Sequence, residues 1–220
     1  MRSFIRFLIL FFSMIKLSPS KLNLFVDCPR CFWLKMNKDV ERPGGPMAGV
    51  LTKMDSVIKH YFDKYRDGDS LPPIIRGKVD GRLAKNMPKT LYFNDGDVTV
   101  SGVPDDYIEI DGAVVPLDHK VSRGKSAEET HRAYILQLDF YCFLIKVNGY
   151  KIRNEGYLAY YYPDDCDLHD GVDICCNVVK LRTDPARAKR ILDKAVKLLE
   201  GDMPKPSAEC EFCKYRKLKF

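Results

Sequence analysis

Two Cys-x-x-Cys pairs at opposite ends of the chain set the strongest limit on how it folds. Cys28-Pro29-Arg30-Cys31 lies near the start and Cys210-Glu211-Phe212-Cys213 near the end. This is a metal-ligand spacing, and four thiolates suit zinc or a [4Fe-4S] cluster equally by count. Most of the chain lies between the pairs, so this is not a local zinc ribbon. Whatever folds in between must bring the C-terminal tail back to the first helix, and the four sulfurs would close the structure like a clasp. Cys142 falls in an apolar helical pattern and reads as a small buried hydrophobe. Cys175 and Cys176 are adjacent in a strand-like run, where successive side chains face opposite ways, so they make a poor metal pair. Such cysteine usage points to a reducing cytoplasm rather than to secretion.

A chain of 220 residues can bury a full core without disulfides. With 45% hydrophobic and 30% charged residues it has the balance of an ordinary globular protein. The net charge of +6 permits nucleic-acid binding without demonstrating it. At the start, Arg2 and Arg6 precede an apolar run from Phe7 to Phe12 that is too short to span a membrane. No small-residue cleavage site follows it. The expectation is that residues 1–13 are a mis-called start or a short hydrophobic leader ahead of Met14, with a membrane-proximal anchor as the alternative.

Ser18-Pro19-Ser20 starts a helix that ends near Cys28-Pro29, and a second helix runs roughly from Ala48 to Tyr65. The middle of the chain changes period. Short runs of β-formers at 91–93, 98–103, 107–110 and 113–117 are separated by the turn signals Asn94-Asp95-Gly96 and Asp111-Gly112, which predicts an antiparallel meander. Ser126 and Glu129 form a capping box for a long helix to Val147. Strands at 155–162 and 173–180 and a last helix from Asp184-Pro185 to Gly201 complete the order. The pattern fits an α/β or α+β sandwich with a mixed central sheet.

Asp105 and Asp118 close two neighbouring strands, and Lys120 shares a strand face with Asp118. Two carboxylates held close repel unless a cation sits between them. Hard oxygen donors select Mg2+ or Mn2+. An ammonium beside a metal-bound water can orient it and stabilise charge on a phosphate. Farther on, Gln137 and Tyr141 stand one helical turn apart on one face.

Gly102-x-x-Asp105, Asp118-x-Lys120 and Gln137-x-x-x-Tyr141, in this order, resemble the nuclease core of the RecB-type branch of the PD-(D/E)XK superfamily, which includes CRISPR-associated exonucleases. The resemblance implies a restriction-endonuclease-like α/β core, a mixed sheet flanked by helices, making one nuclease domain over 14–220. It implies that Asp105, Asp118 and the His119 carbonyl bind Mg2+ or Mn2+, that Lys120 activates water, and that Gln137 and Tyr141 position the lysine or the DNA. It implies DNA as substrate, with exonuclease action on single-stranded ends, and a helicase or CRISPR-associated protein as partner. The alternative is an inactive DNA-binding or helicase-partner module. Asp106 competes with Asp105, and the glycine spacing favours Asp105. The family's Gly-x-x-x-His is not kept, since Lys53 follows Gly49 at that spacing. Asp55 is the candidate replacement ligand, its alternative being an ordinary helix acid, with His60 ranked below both. By analogy with the family the cysteines hold an iron–sulfur cluster, zinc being the alternative, although the family pattern is one early and three late cysteines.

Among the remaining features, Lys214, Tyr215, Arg216, Lys217 and Lys219 make a basic tail that either meets phosphates or is simply solvated. Tyr160, Tyr161 and Tyr162 place one strand face in the core and the other toward a substrate groove. The basic side of the last helix reads as a solvated face. No membrane segment is expected.

Overall fold

The computed structural model describes residues 14–43, 49–125, 128–167, 169 and 171–215. The leader, the glycines at 44–45, the Ser126 half of the capping box and the tail beyond Tyr215 lie outside them.

A short strand, β1 (Ile15–Leu17), leads into α1 (Pro19–Asp27), where the Ser18 hydroxyl accepts from the Lys21 N–H at 3.4 Å. A second helix, α2 (Pro29–Lys38), follows at once with Cys28 as its N-cap. The sequence marked this stretch only as packed aromatics. Pro29 occupies the first helical turn, where a missing N–H costs nothing, so it starts a helix as well as ending one. Next come α3 (Gly49–Asp63), β2 (Arg82–Leu83), β3 (Leu91–Asp95), β4 (Val98–Gly102), β5 (Asp106–Ile110) and β6 (Ala113–Val121). The long helix α4 (Glu128–Val147), β7 (Glu155–Pro163), β8 (Ile174–Arg182), α5 (Pro185–Leu199) and α6 (Glu211–Tyr215) complete the order.

Among the described residues the strands form two sheets, β1-β4-β3 and β2-β5-β6-β7-β8. The expected single meander is therefore two hairpins in different sheets. β3 pairs antiparallel with β4, and β5 with β6, but β4 and β5 do not pair. The break falls at Gly102-Val103-Pro104. Pro104 has no N–H for a ladder. A Cβ on Gly102 would lie 2.5 Å from Leu144 Cδ1, so a larger residue there would force the buried Leu144 side chain to shift. At the β5–β6 turn, Asp111 (φ 50°) and Gly112 (φ 71°) both adopt the left-handed conformation that tight hairpins require.

β6 and β7 are parallel and α4 is their crossover connection, which makes the five-stranded sheet mixed. Alternate residues of β7 serve opposite layers. Tyr157, Ala159 and Tyr161 pack with Ile58 and Phe62 of α3, whereas Leu158 and Tyr160 pack with Leu138 and Tyr141 of α4. Tyr160 and Tyr161 are both buried, so neither face of β7 lines a groove there. Another apolar cluster, including Leu17, Leu22, Phe32, Val100, Leu144 and Leu192, joins the small sheet to α1, α2, α4 and α5. At the start of α5, the Asp184 side chain accepts from the Ala186 and Arg187 N–H groups at 2.9 and 3.0 Å. Buried Asp139 of α4 accepts from Asp184 N and pairs with Arg187, tying α4 to α5.

Candidate active site

The β5–β6 register sets Asp106 opposite Leu117. Asp105, one residue before β5, therefore comes beside Asp118. Its Oδ2 accepts the His119 N–H at 3.0 Å. Amide and carbonyl of a strand residue share one edge, so the His119 carbonyl is turned toward the same side as Asp105. The structure thus gathers the predicted Asp105, Asp118, His119 backbone and Lys120 at one sheet edge.

Asp118 and Lys120 face α4 and form a salt bridge. Lys120 Nζ also donates to Gln137 Oε1 at 3.3 Å and lies 4.6 Å from the Tyr134 ring centroid. Gln137 Nε2 donates to the Tyr141 hydroxyl at 2.8 Å, and that hydroxyl donates to the Val103 carbonyl at 3.2 Å. Lys120, Gln137 and Tyr141 therefore connect Asp118 to the loop that presents Asp105. The two α4 residues chosen from their spacing both belong to this chain of contacts. Asp118 is only 2% exposed. Burial raises its carboxyl from 3.8 to about 6; nearby Asp105 adds to the rise, and Lys120 opposes it.

His119 itself points to the opposite layer. Its Nε2 lies 3.0 Å from Asp106 Oδ2, its Nδ1 3.1 Å from the Tyr161 hydroxyl, and its ring 4.4 Å from that of Phe62. Asp106 also pairs with Arg66 of the segment after α3. The two adjacent acids are thereby divided: Asp106 serves the buried histidine and Asp105 the edge.

On α3, Asp55 Oδ2 lies 2.9 Å from Lys59 Nζ, and the same ammonium reaches Asp105 Oδ1 at 3.3 Å. Burial pulls the Lys59 ammonium down, but hydrogen bonding to Asp55 and the charge of Asp105 outweigh it, and its net shift is upward. Sequence reasoning passed over Lys59, although its position four residues after Asp55 is an ion-pair spacing that marks it. His60 turns back to its own helix, with Nδ1 2.8 Å from the Ser56 carbonyl, and is not part of the site. An open cleft of about 630 Å3 leads to Asp105, with Lys59, Arg66, Lys85 and Lys89 on its walls.

The four predicted cysteines also meet. Their sulfurs all lie within 4.8 Å of one another, joining the α1–α2 junction to α6. Cys28–Cys213, Cys31–Cys210 and Cys31–Cys213 are separated by 3.6, 3.7 and 3.9 Å, too far for disulfides. Burial drives the Cys31 thiol up to about 12. Burial also pushes Cys210 upward, but the Cys213 N–H and the neighbouring thiols win and lower it to about 7. Arg42 donates to Cys210 Sγ at 3.4 Å, lies over the Phe212 ring and pairs with Asp27. Cys142 is buried among apolar residues, as its helical setting suggests, and Thr183 donates to its sulfur at 3.2 Å.

Fold and site together define an α/β protein whose mixed sheet presents two carboxylates and a lysine at one edge. A family model of the PD-(D/E)XK nuclease superfamily matches residues 57–218, and the chain belongs to that superfamily. One subunit of the ATP-dependent helicase/nuclease of Clostridium novyi (strain NT) is 30% identical over 84 residues, which is 37% of this chain and 7% of that protein. The chain therefore corresponds to a small part of that relative. Among solved structures, a phage-related exonuclease from Haemophilus somnus 129PT aligns at 13% identity and TM-score 0.48 over 83% of this chain and 79% of that one. The protein SSO0001 aligns at 16% identity and TM-score 0.45 over 90% and 82%. Among the described residues no helix is long and apolar enough to cross a membrane.

Proposed function

We propose that the chain is a Mg2+- or Mn2+-dependent nuclease that hydrolyses DNA, acting on single-stranded ends. The observation that carries this reading is the pairing of buried Asp118 with Lys120 beside Asp105, with Gln137 holding the lysine from α4. The donor set fits a hard divalent ion. A carboxylate this buried, lifted to about 6 and facing a second carboxylate, is incompletely compensated by one lysine. Asp105, Asp118 and the His119 carbonyl would hold the ion, and Asp55 reaches it only where Lys59 yields. When bound, the ion supplies Lewis-acid stabilisation and lowers the pKa of water. Lys120 orients the attacking water and offers charge to a non-bridging phosphate oxygen. Gln137 and Tyr141 fix the lysine's direction. Water adds its oxygen to phosphorus, the P–O bond to the leaving nucleotide breaks, and the leaving oxygen ends protonated.

A cytoplasmic setting agrees with eight cysteines that form no disulfide. A helicase or CRISPR-associated partner is part of this proposal. Its test is Mn2+-dependent cleavage of DNA labelled either at one end or internally. Release of single nucleotides from single-stranded ends supports it. Cutting only within duplexes contradicts the exonuclease part.

For the cysteine site, the geometry favours one zinc ion over the iron–sulfur cluster expected by analogy. A regular tetrahedron with 2.3 Å metal–sulfur bonds has sulfurs about 3.8 Å apart. Three of the six pairs stand at 3.6, 3.7 and 3.9 Å, and all four sulfurs lie within 4.8 Å of one another. A four-iron cube is larger than one ion and holds its thiolates farther apart. Metal analysis with one zinc per chain and no visible absorption supports zinc, and a brown protein restores the cluster.

A further inference from the structure

Lys59 stands where the carboxylates of α3 and of the sheet edge meet, and its ammonium is within 3.3 Å of oxygens on both Asp55 and Asp105. A divalent ion bridging those two carboxylates would need the same space, at oxygen distances of about 2.1 Å for Mg2+. We infer that Lys59 is a resident cation of the site, held between Asp55 and Asp105 in the place of a second divalent ion, so that the carboxylate set takes one ion rather than two. This rests on the proposed metal-dependent reading of the same site.

Charge balance favours the arrangement. Asp55, Asp105 and Asp118 carry −3, and Lys59 and Lys120 carry +2, leaving −1. One divalent ion makes the site +1, which matches the single negative charge of a phosphodiester. A second ion beside an intact Lys59 would bring it to +3, with two cations crowded onto Asp105. The Lys59 side chain is 43% exposed and lines the cleft that ends at Asp105, so its ammonium is available to a phosphate entering from that side. Lys120 is on the other side, against α4. The two lysines thus flank the acid pair from opposite layers, and the ion belongs between Asp105 and Asp118.

The test counts Mn2+ bound per chain by electron paramagnetic resonance of the free ion, using protein purified with its cysteine site intact. Wild type and Lys59→Arg, which keeps the charge, are expected to bind one Mn2+. Lys59→Gln removes the charge and should bind a second Mn2+, or bind the first about tenfold more tightly. Adding Asp55→Asn to Lys59→Gln should abolish that gain. Thermal unfolding without Mn2+ verifies that each variant is folded. One ion of unchanged affinity in Lys59→Gln, or two ions in wild type, overturns the inference and leaves the nuclease reading standing. No ion in either protein overturns both.

Discussion

Replacing Asp118 by Asn should stabilise the protein without divalent ions while it removes the proposed activity. Asp118 is 2% exposed, and its carboxyl is raised from 3.8 to about 6. A raised carboxyl pKa means that the unfolded chain ionises more readily than the folded one. The folded state therefore loses stability as pH rises from 3.8 to about 6, and the loss is constant above that. At about 1.4 kcal/mol per unit, the penalty is on the order of 1–2 kcal/mol at pH 5 and about 3 kcal/mol at pH 7.5. Asparagine keeps the shape and cannot ionise. The opposing pull of Lys120 is already contained in the shift, and Lys120 keeps its bond to Gln137. Urea unfolding in resin-scrubbed buffer should show the variant more stable by about these amounts at the two pH values. Adding Mn2+ should stabilise wild type and not the variant. A variant less stable than wild type at pH 7.5 without Mn2+, or a gap that does not widen between pH 5 and 7.5, would refute the reasoning.

Lys120→Ala should cut initial cleavage rates roughly 100-fold or more, the usual scale for a lost acid–base group; it also leaves buried Asp118 without its cation and should lower the unfolding midpoint at neutral pH. Cys213→Ser should lower bound metal per chain and expose residues 200–215 to limited proteolysis, because α6 is held to the α1–α2 junction through the sulfurs. Arg187→Ala leaves the carboxylate of fully buried Asp139 without its cation and should cost about 3 kcal/mol in urea unfolding; Asp139→Asn in that background should recover part of it.

Much of the candidate site was legible because its parts sit at short fixed spacings. Asp118 and Lys120 share a strand face by period 2, and Gln137 and Tyr141 share a helix face by period 3.6. The cysteine pairs announced a clasp through ligand spacing, and the sulfurs do converge. What stayed hidden depends on contacts between layers. In β3–β6 the local mark of the split is Pro104, which cannot donate to a ladder, whereas the close approach of Gly102 to Leu144, 42 residues away in sequence, appears only in the fold. The division of labour between Asp105 and Asp106 rests on His119 and Arg66, which come from separate elements. Lys59 gains its place only because the fold sets α3 beside Asp105, a contact between elements far apart in sequence. The capping box at Ser126 and most of the basic tail fall outside the described residues, whereas the cap at Ser18 is present as expected.

The central claim is tested most directly by comparing wild type, Asp118→Asn and Lys120→Ala on labelled single- and double-stranded DNA, with and without Mn2+. The account predicts cleavage by wild type only when the ion is present, and its loss in both variants although each remains folded. Cleavage that persists in the two variants, or that proceeds equally well without a divalent ion, would contradict it.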